Sequence, residues 1–139
     1  MAPPTLPKWL VLVVEDDPDV RTLVVRALSL DYEVVSAENG SQALARLAQR
    51  PLPALIISDI MMPDLDGLQL AAQVKQNPQT AHVPIIFLTS RGTPKDIIAG
   101  INAGARHYVP KPFRVTELLE KVAKVLPKPG TARKRPVRR

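Results

Sequence analysis

Four groups of polar residues in this sequence each follow an apolar run, and their types suit chemistry on a charged ligand. The groups are Glu15–Asp17, Asp59, Thr89–Ser90 and Lys111. Neighbouring carboxylates at the end of a strand repel one another and lose hydration, so a hard cation is needed to offset their charge. Asp16 and Asp59, together with a few waters, would suit Mg²⁺, which prefers few protein ligands and keeps open positions for phosphate oxygens.

Asp59 is the most informative of these residues, because it closes the apolar run Ala54–Ser58, where an acid is badly placed for a purely structural role. Its carboxylate could act as a nucleophile, as in aspartyl-phosphate chemistry. Lys111 lies between two prolines on a stiffened segment, from which its charge could pair with the carboxylates or with a phosphoryl group. Thr89 could donate a hydrogen bond to a phosphoryl oxygen. The structural alternatives are an ordinary surface lysine and an ordinary threonine at the end of a strand.

The apolar pattern indicates the elements that must position these residues. Three near-continuous runs of Val, Ile and Leu are typical of strands buried on both faces, namely Leu10–Val14, Ala54–Ser58 and Pro84–Leu88. Segments with helical spacing separate them, and two weaker strands and two further helices complete the pattern at Tyr32–Ser36, Arg106–Val109, Lys95–Asn102 and Val115–Leu126. This alternation predicts an α/β fold with a parallel sheet between two helical layers. Ligands of such a sheet bind beyond the carboxyl ends of its strands, where all four polar groups fall.

Residues at the expected helix boundaries have recognisable roles. Asp17 and Pro18 suit the N-cap and the first turn of a helix, so Asp17 is interpreted as a cap rather than a ligand. Thr93 and Pro94 form a similar pair further along the chain. Three glycines fall between periodic segments, where a turn or a helix end favours a positive φ angle, namely Gly40, Gly67 and Gly104.

Length and composition indicate one compact domain. A chain of 139 residues can bury a substantial core but has no room for a second sizeable domain. We expect a flexible leader at residues 1–8, the folded domain at 9–126 and a disordered tail at 127–139. The apolar run that starts at Trp9 is too short for a signal peptide or a transmembrane segment, and the absence of cysteine fits a cytoplasmic protein.

The predicted tail carries the net charge of the chain. All 13 acidic residues precede Pro127, whereas six of the 19 basic residues lie in Lys128–Arg139, so the formal charge of +6 belongs to the tail. The tail is either a solvated segment or an electrostatic tether to a polyanion, such as nucleic acid, an anionic membrane or an acidic protein patch. Its charges are not interleaved with aromatic residues that would stack on bases.

The four polar groups lie within strings that resemble the receiver domain of two-component response regulators, the CheY-like superfamily. The strings are VLVVEDDPDVR, LIISDIMMPDLDGLQL, PIIFLTS and AGARHYVPKPF, and they span Val11–Phe113. The resemblance implies a five-stranded doubly wound sheet with five helices, in three layers α/β/α, and a flavodoxin-like strand order. It also implies that Asp59 accepts a phosphoryl group from a phosphohistidine on a sensor histidine kinase or a phosphotransfer protein.

The same resemblance assigns a Mg²⁺ site and a phosphoryl contact to numbered positions of this chain. Asp16 and Asp59 resemble the direct Mg²⁺ ligands, and the backbone carbonyl of Met61 resembles the last protein ligand. Glu15 resembles the acidic companion that acts through a water molecule. Lys111 resembles the lysine that contacts the phosphoryl group.

The switch that reports phosphorylation is also implied by the resemblance. Thr89 and Tyr108 resemble the pair in which the hydroxyl moves towards the phosphoryl oxygen and the aromatic ring rotates inward. By the same resemblance, Met61 and Arg91 flank the phosphoryl group and would tune its lifetime, and Ser90 is a neighbour small enough to leave space for it. The bond between Lys111 and Pro112 is expected to be cis. A protein of this kind is a signalling switch that catalyses only its own phosphoryl transfer and dephosphorylation, not an enzyme.

The expected output surface departs from the pattern of many DNA-binding members. Their two acids before the switch aromatic are replaced here by Arg106 and His107, and the fourth predicted helix is largely apolar at Asp96–Ile101. These differences argue against the family's usual dimer. Most apolar residues of this helix are expected to belong to the core, and any that are exposed form a docking patch. We expect an output protein to bind the face made by the fourth helix, the fifth strand and the fifth helix.

Two hypotheses from different classes follow. The favoured one is a phosphorylation-dependent switch of a two-component system that acts through protein–protein contacts. The alternative is a receiver-like adaptor that binds a partner constitutively, through its basic tail or otherwise, without phosphorylation. A metal-dependent aspartyl phosphatase ranks third, because no second acid stands two residues after Asp59 to serve as general acid or base.

Overall fold

A computed structural model describes residues 8–89 and 105–126. Five strands form one parallel sheet with the order β2-β1-β3-β4-β5. They are β1 (Leu10–Val14), β2 (Glu33–Ala37), β3 (Leu55–Asp59), β4 (Ile85–Thr89) and β5 (Ala105–Pro110). The sheet confirms the predicted parallel α/β fold and its flavodoxin-like strand order. Sequence predictions that fall outside the described residues concern the leader before Lys8, the helix Lys95–Asn102, the cap at Thr93–Pro94, Gly104, Ser90, Arg91 and the tail 127–139.

Four helices lie within the described residues: α1 (Pro18–Leu28), α2 (Gly40–Leu47), α3 (Gly67–Gln76) and α4 (Val115–Val125). The predicted cap of α1 is confirmed, since the side chain of Asp17 accepts hydrogen bonds from the backbone N–H groups of Asp19 and Val20. Asp66 caps α3 in a capping box with Gln69. Within the described ranges, the helices are too short or too polar to cross a membrane.

The core consists of two apolar clusters, one on each face of the sheet. Alternate residues of β1 face opposite sides, so Val11 and Val13 join one cluster while Leu12 and Val14 join the other. The first cluster packs against α1 and α4, and the second packs against α2 and α3. Burial on both faces explains why the strand sequences are continuously apolar. The helical layers cover both faces of the sheet, and the polar groups lie at its carboxyl edge.

Gly40 and Gly67 contradict the expectation of a positive φ angle. Both residues are the first of a helix, and close approach of the backbone explains them instead. A Cβ atom on Gly67 would lie 2.2 Å from the carbonyl oxygen of Asp59, and one on Gly40 would lie 2.6 Å from that of Leu65. A positive φ angle occurs instead at Asp64, with a value of 67°. Gly67 therefore lets the start of α3 pack directly on the backbone of Asp59.

Candidate functional site at the carboxyl edge of the sheet

The two central strands bring the acidic residues together. Glu15 follows β1 directly, Asp59 is the last residue of β3, and the register of the two strands pairs Val14 with Ser58. Because β2 lies on the other side of β1 and β4 on the other side of β3, the strand order reverses at this position. Such a switch point opens a crevice for ligands in doubly wound sheets. The predicted gathering of Glu15 and Asp59 is confirmed.

Lys111 connects the two buried carboxylates. Its Nζ atom lies 2.8 Å from Oε1 of Glu15 and 3.2 Å from Oδ2 of Asp59. Glu15 is fully buried and Asp59 is only 5% exposed. Ion pairs removed from water are costly to form but strongly held once formed, and breaking one leaves a buried charge without a partner. Lys111 thus fixes the two carboxylates at short range, which excludes the interpretation of Lys111 as an ordinary surface lysine.

The burial of Glu15 changes its acidity. Burial raises the pKa of Glu15 to about 7, because desolvation penalises the charged carboxylate, and the nearby charge of Asp59 adds to the rise. Hydrogen bonds from Lys111 and from the backbone of Asp17 lower the pKa but offset only part of this effect. The protonation state of Glu15 therefore changes near neutral pH.

The pKa of Lys111 is also raised, but by its acidic neighbours rather than by burial. Desolvation lowers the pKa of Lys111, but the hydrogen bond to Glu15 and the negative charges of Asp59 and Glu15 together raise it by more. The net result is a pKa above the ordinary value of lysine, so the ammonium group stays charged. The site then holds a permanent cation next to a cluster of acids.

The acidic residues offer oxygen ligands to a divalent cation. Glu15, Asp16 and Asp59 can each supply one carboxylate oxygen, and these three atoms lie within 4.8 Å of one another. Asp16 is exposed to solvent, whereas Oδ1 of Asp59 is buried and has no hydrogen-bond partner in the described part of the chain. An unpartnered buried carboxylate oxygen is costly unless a ligand binds it. The donor set therefore fits a hard cation with oxygen ligands.

The loop after β3 holds the backbone of Asp59 in place. The hydroxyl of Ser58 donates a hydrogen bond of 2.8 Å to the carbonyl oxygen of Asp59. The N–H group of Gly67 donates one of 2.8 Å to the carbonyl oxygen of Ile60, and the N–H group of Ile60 donates one of 3.2 Å to Leu88. Met61 lies in this loop with its side chain exposed at the same edge. The carboxylate thus projects from a rigid strand end rather than from a loose loop.

Residues of β4 and β5 complete the surroundings of the site. Thr89 ends β4, where its backbone pairs with that of Pro110, and Tyr108 pairs with Phe87. The rings of Phe87 and Tyr108 are 5.8 Å apart, and Tyr108 is half-buried. The Lys111–Pro112 bond is cis, as expected.

One contact at the site was not foreseen from the sequence. A guanidinium nitrogen of Arg21, Nη1, donates a hydrogen bond of 2.8 Å to the backbone carbonyl of Glu15. Arg21 lies in α1, six residues after Glu15, where helical geometry turns it back towards the end of β1. The sequence feature that could have indicated this contact is a basic residue in the second turn of the helix that follows Glu15–Asp17.

An apolar groove adjoins the acidic site. It has a volume of about 370 Å³ and is lined by Val20, Leu23, Lys111, Pro112 and Phe113. The side chain of Leu23 is 46% exposed and contributes apolar surface to this groove. Lys111 lines this groove and also contacts the buried carboxylates, so the groove and the acidic site share one edge. A larger cavity of about 480 Å³ lies between α2 and α3, and acidic residues do not line it.

Comparison with known proteins identifies the family to which this arrangement is similar. The family model of the response regulator receiver domain matches residues 11–123. Histidine kinase P4 of Formosa agariphila is 40% identical over 119 residues, which is 86% of this chain and 9% of that protein. The phosphate regulon transcriptional regulatory protein PhoB of Pseudomonas aeruginosa is 37% identical over 86% of this chain and 52% of its own length. The chain thus spans about half or less of the length of these relatives.

Two solved structures with a similar fold are matched over nearly the whole of their own chains. A putative response regulator from Chloroflexus aurantiacus has a TM-score of 0.80 and 37% identity, covering 86% of this chain and 98% of that one. The chemotaxis protein CheY4 of Vibrio cholerae has a TM-score of 0.81 and 32% identity, covering 86% and 99%.

Proposed function

This chain belongs to the response regulator receiver domain family, and we propose that it is a phosphorylation-dependent switch of a two-component system with Asp59 as phosphoacceptor. The observation that carries the proposal is the state of the two oxygens of Asp59. One is held 3.2 Å from the Lys111 ammonium, and the other is buried without a partner in the described residues. A carboxylate held in this way is pre-positioned as a nucleophile. The site supports this function over the constitutive adaptor, for which buried charges around Asp59 would have no use.

The proposed reaction is an in-line phosphoryl transfer. An oxygen of Asp59 attacks the phosphorus of a phosphohistidine, the phosphorus–nitrogen bond breaks, and its electron pair remains on the imidazole nitrogen. Lys111 supplies positive charge to the phosphoryl oxygens in the transition state. We propose that the only reactions of the domain are this transfer and the later hydrolysis of its own aspartyl phosphate.

Mg²⁺ is the proposed cofactor. Asp16, Asp59 and the backbone carbonyl of Met61 would hold it, with Glu15 acting through a water molecule. When bound, the ion would neutralise charge on the transferring phosphoryl group. The three carboxylates and the Lys111 ammonium carry a net charge of −2 when Glu15 is ionised, which a divalent cation balances. This balance supports a divalent ion over a monovalent one.

The proposed response uses Thr89 and Tyr108. Thr89 ends the strand next to Asp59 and would donate its hydroxyl hydrogen bond to the bound phosphoryl group. Tyr108 lies two residues before the end of β5 and packs beside Phe87, so a change at the edge of β4 can reach the surface through this ring. Ser90 and Arg91 are proposed as further neighbours of the phosphoryl group. The proposed output surface includes β5 and α4, which is the fifth helix of the sequence prediction.

We propose that the protein that delivers the phosphoryl group docks in the apolar groove of Val20, Leu23, Pro112 and Phe113. A donor histidine must approach Asp59 closely, so its protein has to cover the surface next to Lys111. Within residues 8–89 and 105–126, this groove is an apolar surface that meets the requirement, because Lys111 lines it. A sensor histidine kinase or a phosphotransfer protein is the partner that this geometry suits.

Replacing Leu23 by Asp tests the docking groove. We expect phosphoryl transfer from a phosphorylated histidine kinase or phosphotransfer protein to slow by about 10-fold, because one buried apolar contact of about 1.4 kcal/mol is lost. Phosphorylation by the small molecule acetyl phosphate should not change. Leu30→Asp is the matched control, since Leu30 is 78% exposed beyond the end of α1. Equal slowing with both phosphodonors, or in both variants, would contradict the docking role.

The pKa of Glu15 gives a pH-dependent prediction for Mg²⁺ binding. Because this pKa is raised to about 7, Glu15 is mostly ionised at pH 8 and mostly protonated at pH 6. Protonation removes one negative charge from the site, so the dissociation constant for Mg²⁺ should rise several-fold as the pH falls between these values. Titration calorimetry at each pH measures the change. The variant Glu15→Gln should bind Mg²⁺ more weakly and with a flatter profile, and an equally steep profile would exclude Glu15 as its source.

The proposed function is tested by the intact mass of the protein after treatment with acetyl phosphate. We expect one phosphoryl group to be added in the presence of Mg²⁺ and none after the metal is chelated. Incorporation that does not depend on metal would contradict the proposed mechanism. Absence of incorporation from both acetyl phosphate and phosphohistidine donors would contradict the proposed function itself.

A further inference from the structure

The contact between Arg21 and Glu15 joins the first helix to the end of the first strand. Arg21 is half-buried in α1, and its Nη1 atom donates a hydrogen bond of 2.8 Å to the backbone carbonyl of Glu15. The pairing of β1 with both neighbouring strands ends at Val14, one residue earlier. The N–H group of Glu15 still donates to Ala37 at 3.1 Å, but its carbonyl lies beyond the register of the sheet. Arg21 supplies the partner that a further strand residue would otherwise provide.

This hydrogen bond acts on the peptide unit that joins the two acids. The carbonyl of Glu15 and the N–H group of Asp16 belong to one planar peptide, so fixing the carbonyl fixes the orientation of the whole unit. The turn is held on its other side by Asp17, which caps α1 and donates its own N–H to Oε2 of Glu15 at 3.1 Å. Asp16 therefore stands between two fixed points. The direction of its carboxylate depends on both of them.

We propose that Arg21 is a positioning residue for the divalent-cation site. By holding the peptide between Glu15 and Asp16, it keeps the two carboxylates in the arrangement in which their oxygens and that of Asp59 lie within 4.8 Å. Hydrogen-bond partners of this outer kind orient metal ligands in many sites. The inference rests on the proposed function, because it concerns the same Mg²⁺ site.

The charge of Arg21 should affect Mg²⁺ affinity in the opposite direction to its positioning role, so an experiment can separate the two effects. A guanidinium is always positively charged, and a positive charge near a cation site repels the incoming ion. If charge were the only influence, removing it would strengthen Mg²⁺ binding. If positioning dominates, removing the same side chain weakens Mg²⁺ binding, although the site has become more negative.

Mg²⁺ alone is titrated into the full chain and into the variant Arg21→Met. Calorimetry measures the affinity for Mg²⁺, and the amide chemical shifts of Glu15–Asp17 report the conformation of the turn. We expect the dissociation constant to rise about 10-fold, with altered shifts in this turn. Arg21→Lys, which keeps the charge and one donor, should recover part of the affinity. Arg26→Met is the matched control, since Arg26 is an exposed basic residue of the last turn of α1, and it should bind Mg²⁺ as the wild type does.

The outcomes separate this inference from the proposed function. Unchanged or tighter binding of Mg²⁺ by Arg21→Met, in a background where the wild type binds the ion, overturns the positioning role and leaves the proposed function intact. Failure of the wild type to bind Mg²⁺ overturns both. Urea unfolding of each variant identifies a general loss of stability, and if Arg21→Met does not fold, Arg21→Gln is titrated with the same expected weakening.

Discussion

Replacing Asp59 by Asn is expected to abolish phosphorylation by acetyl phosphate, with a loss of at least about 100-fold in rate. The amide keeps the shape of the carboxylate but lacks the nucleophilic anion, so the covalent bond to phosphorus does not form. The substitution also removes a negative charge next to Glu15. Since that charge raises the pKa of Glu15, the pKa should fall in the variant. Intact mass measures the first effect, and NMR titration of the Glu15 carboxyl measures the second.

Asp64→Asn is the matched control for this variant. Asp64 is an exposed acid in the same loop, five residues further along, and its φ angle of 67° is one that Asn adopts readily. The control should be phosphorylated at the rate of the wild type. Persistent Mg²⁺-dependent incorporation in Asp59→Asn would show that another residue accepts the phosphoryl group.

Replacing Lys111 by Met is expected to affect catalysis and metal binding in opposite directions. Phosphorylation should slow by about 10² to 10³-fold, because one preorganised positive group is lost from the transition state. Mg²⁺ should bind more tightly, because the ion no longer competes with an ammonium group that lies 2.8 Å from Glu15 and 3.2 Å from Asp59. Measuring the rate at saturating Mg²⁺ separates the two effects. A rate that recovers with added Mg²⁺ would contradict the role of Lys111 at the phosphoryl group.

The same variant gives a stability prediction with a defined sign. Lys111 lowers the pKa of Glu15 to its value of about 7, so the loss of Lys111 raises that pKa further. A buried acid with a raised pKa contributes stability below its unfolded pKa, and this contribution is lost as pH rises through the folded value. Lys111→Met should therefore lose about 1–3 kcal/mol of unfolding free energy at pH 8 without metal, and less at pH 5. Lys124→Met, on an exposed position of α4, should stay within about 0.5 kcal/mol at both values.

Much of the fold could be predicted because burial on both faces of a sheet leaves a continuous apolar signature. The runs Leu10–Val14, Ala54–Ser58 and Pro84–Leu88 correspond to β1, β3 and β4 within one residue. Strands β3 and β4 begin and end one residue later than predicted, because parallel pairing continues to Asp59 and Thr89. Alternation of strands and helices then determined which strand ends meet at one edge.

The contacts within the site could not be predicted to the same extent, because they depend on side-chain reach across the fold. Strand ends alone did not indicate that Lys111 binds Glu15 more closely than Asp59. The bond from Arg21 to a backbone carbonyl has no motif of its own. Gly40 and Gly67 were correctly marked as special, but for the wrong reason, since the close approach of Gly67 to Asp59 depends on how α3 docks on the sheet.

The central claim is that Asp59 itself carries the phosphoryl group, and chemical trapping tests it most directly. The protein is treated with acetyl phosphate and Mg²⁺ and then with borohydride, which reduces an acyl phosphate to an alcohol and leaves free carboxylates unchanged. Peptide sequencing by mass spectrometry should find homoserine at position 59 and unmodified acids at Glu15 and Asp16. Homoserine at position 16, or phosphorylation that yields no reduced residue at all, would contradict the assignment.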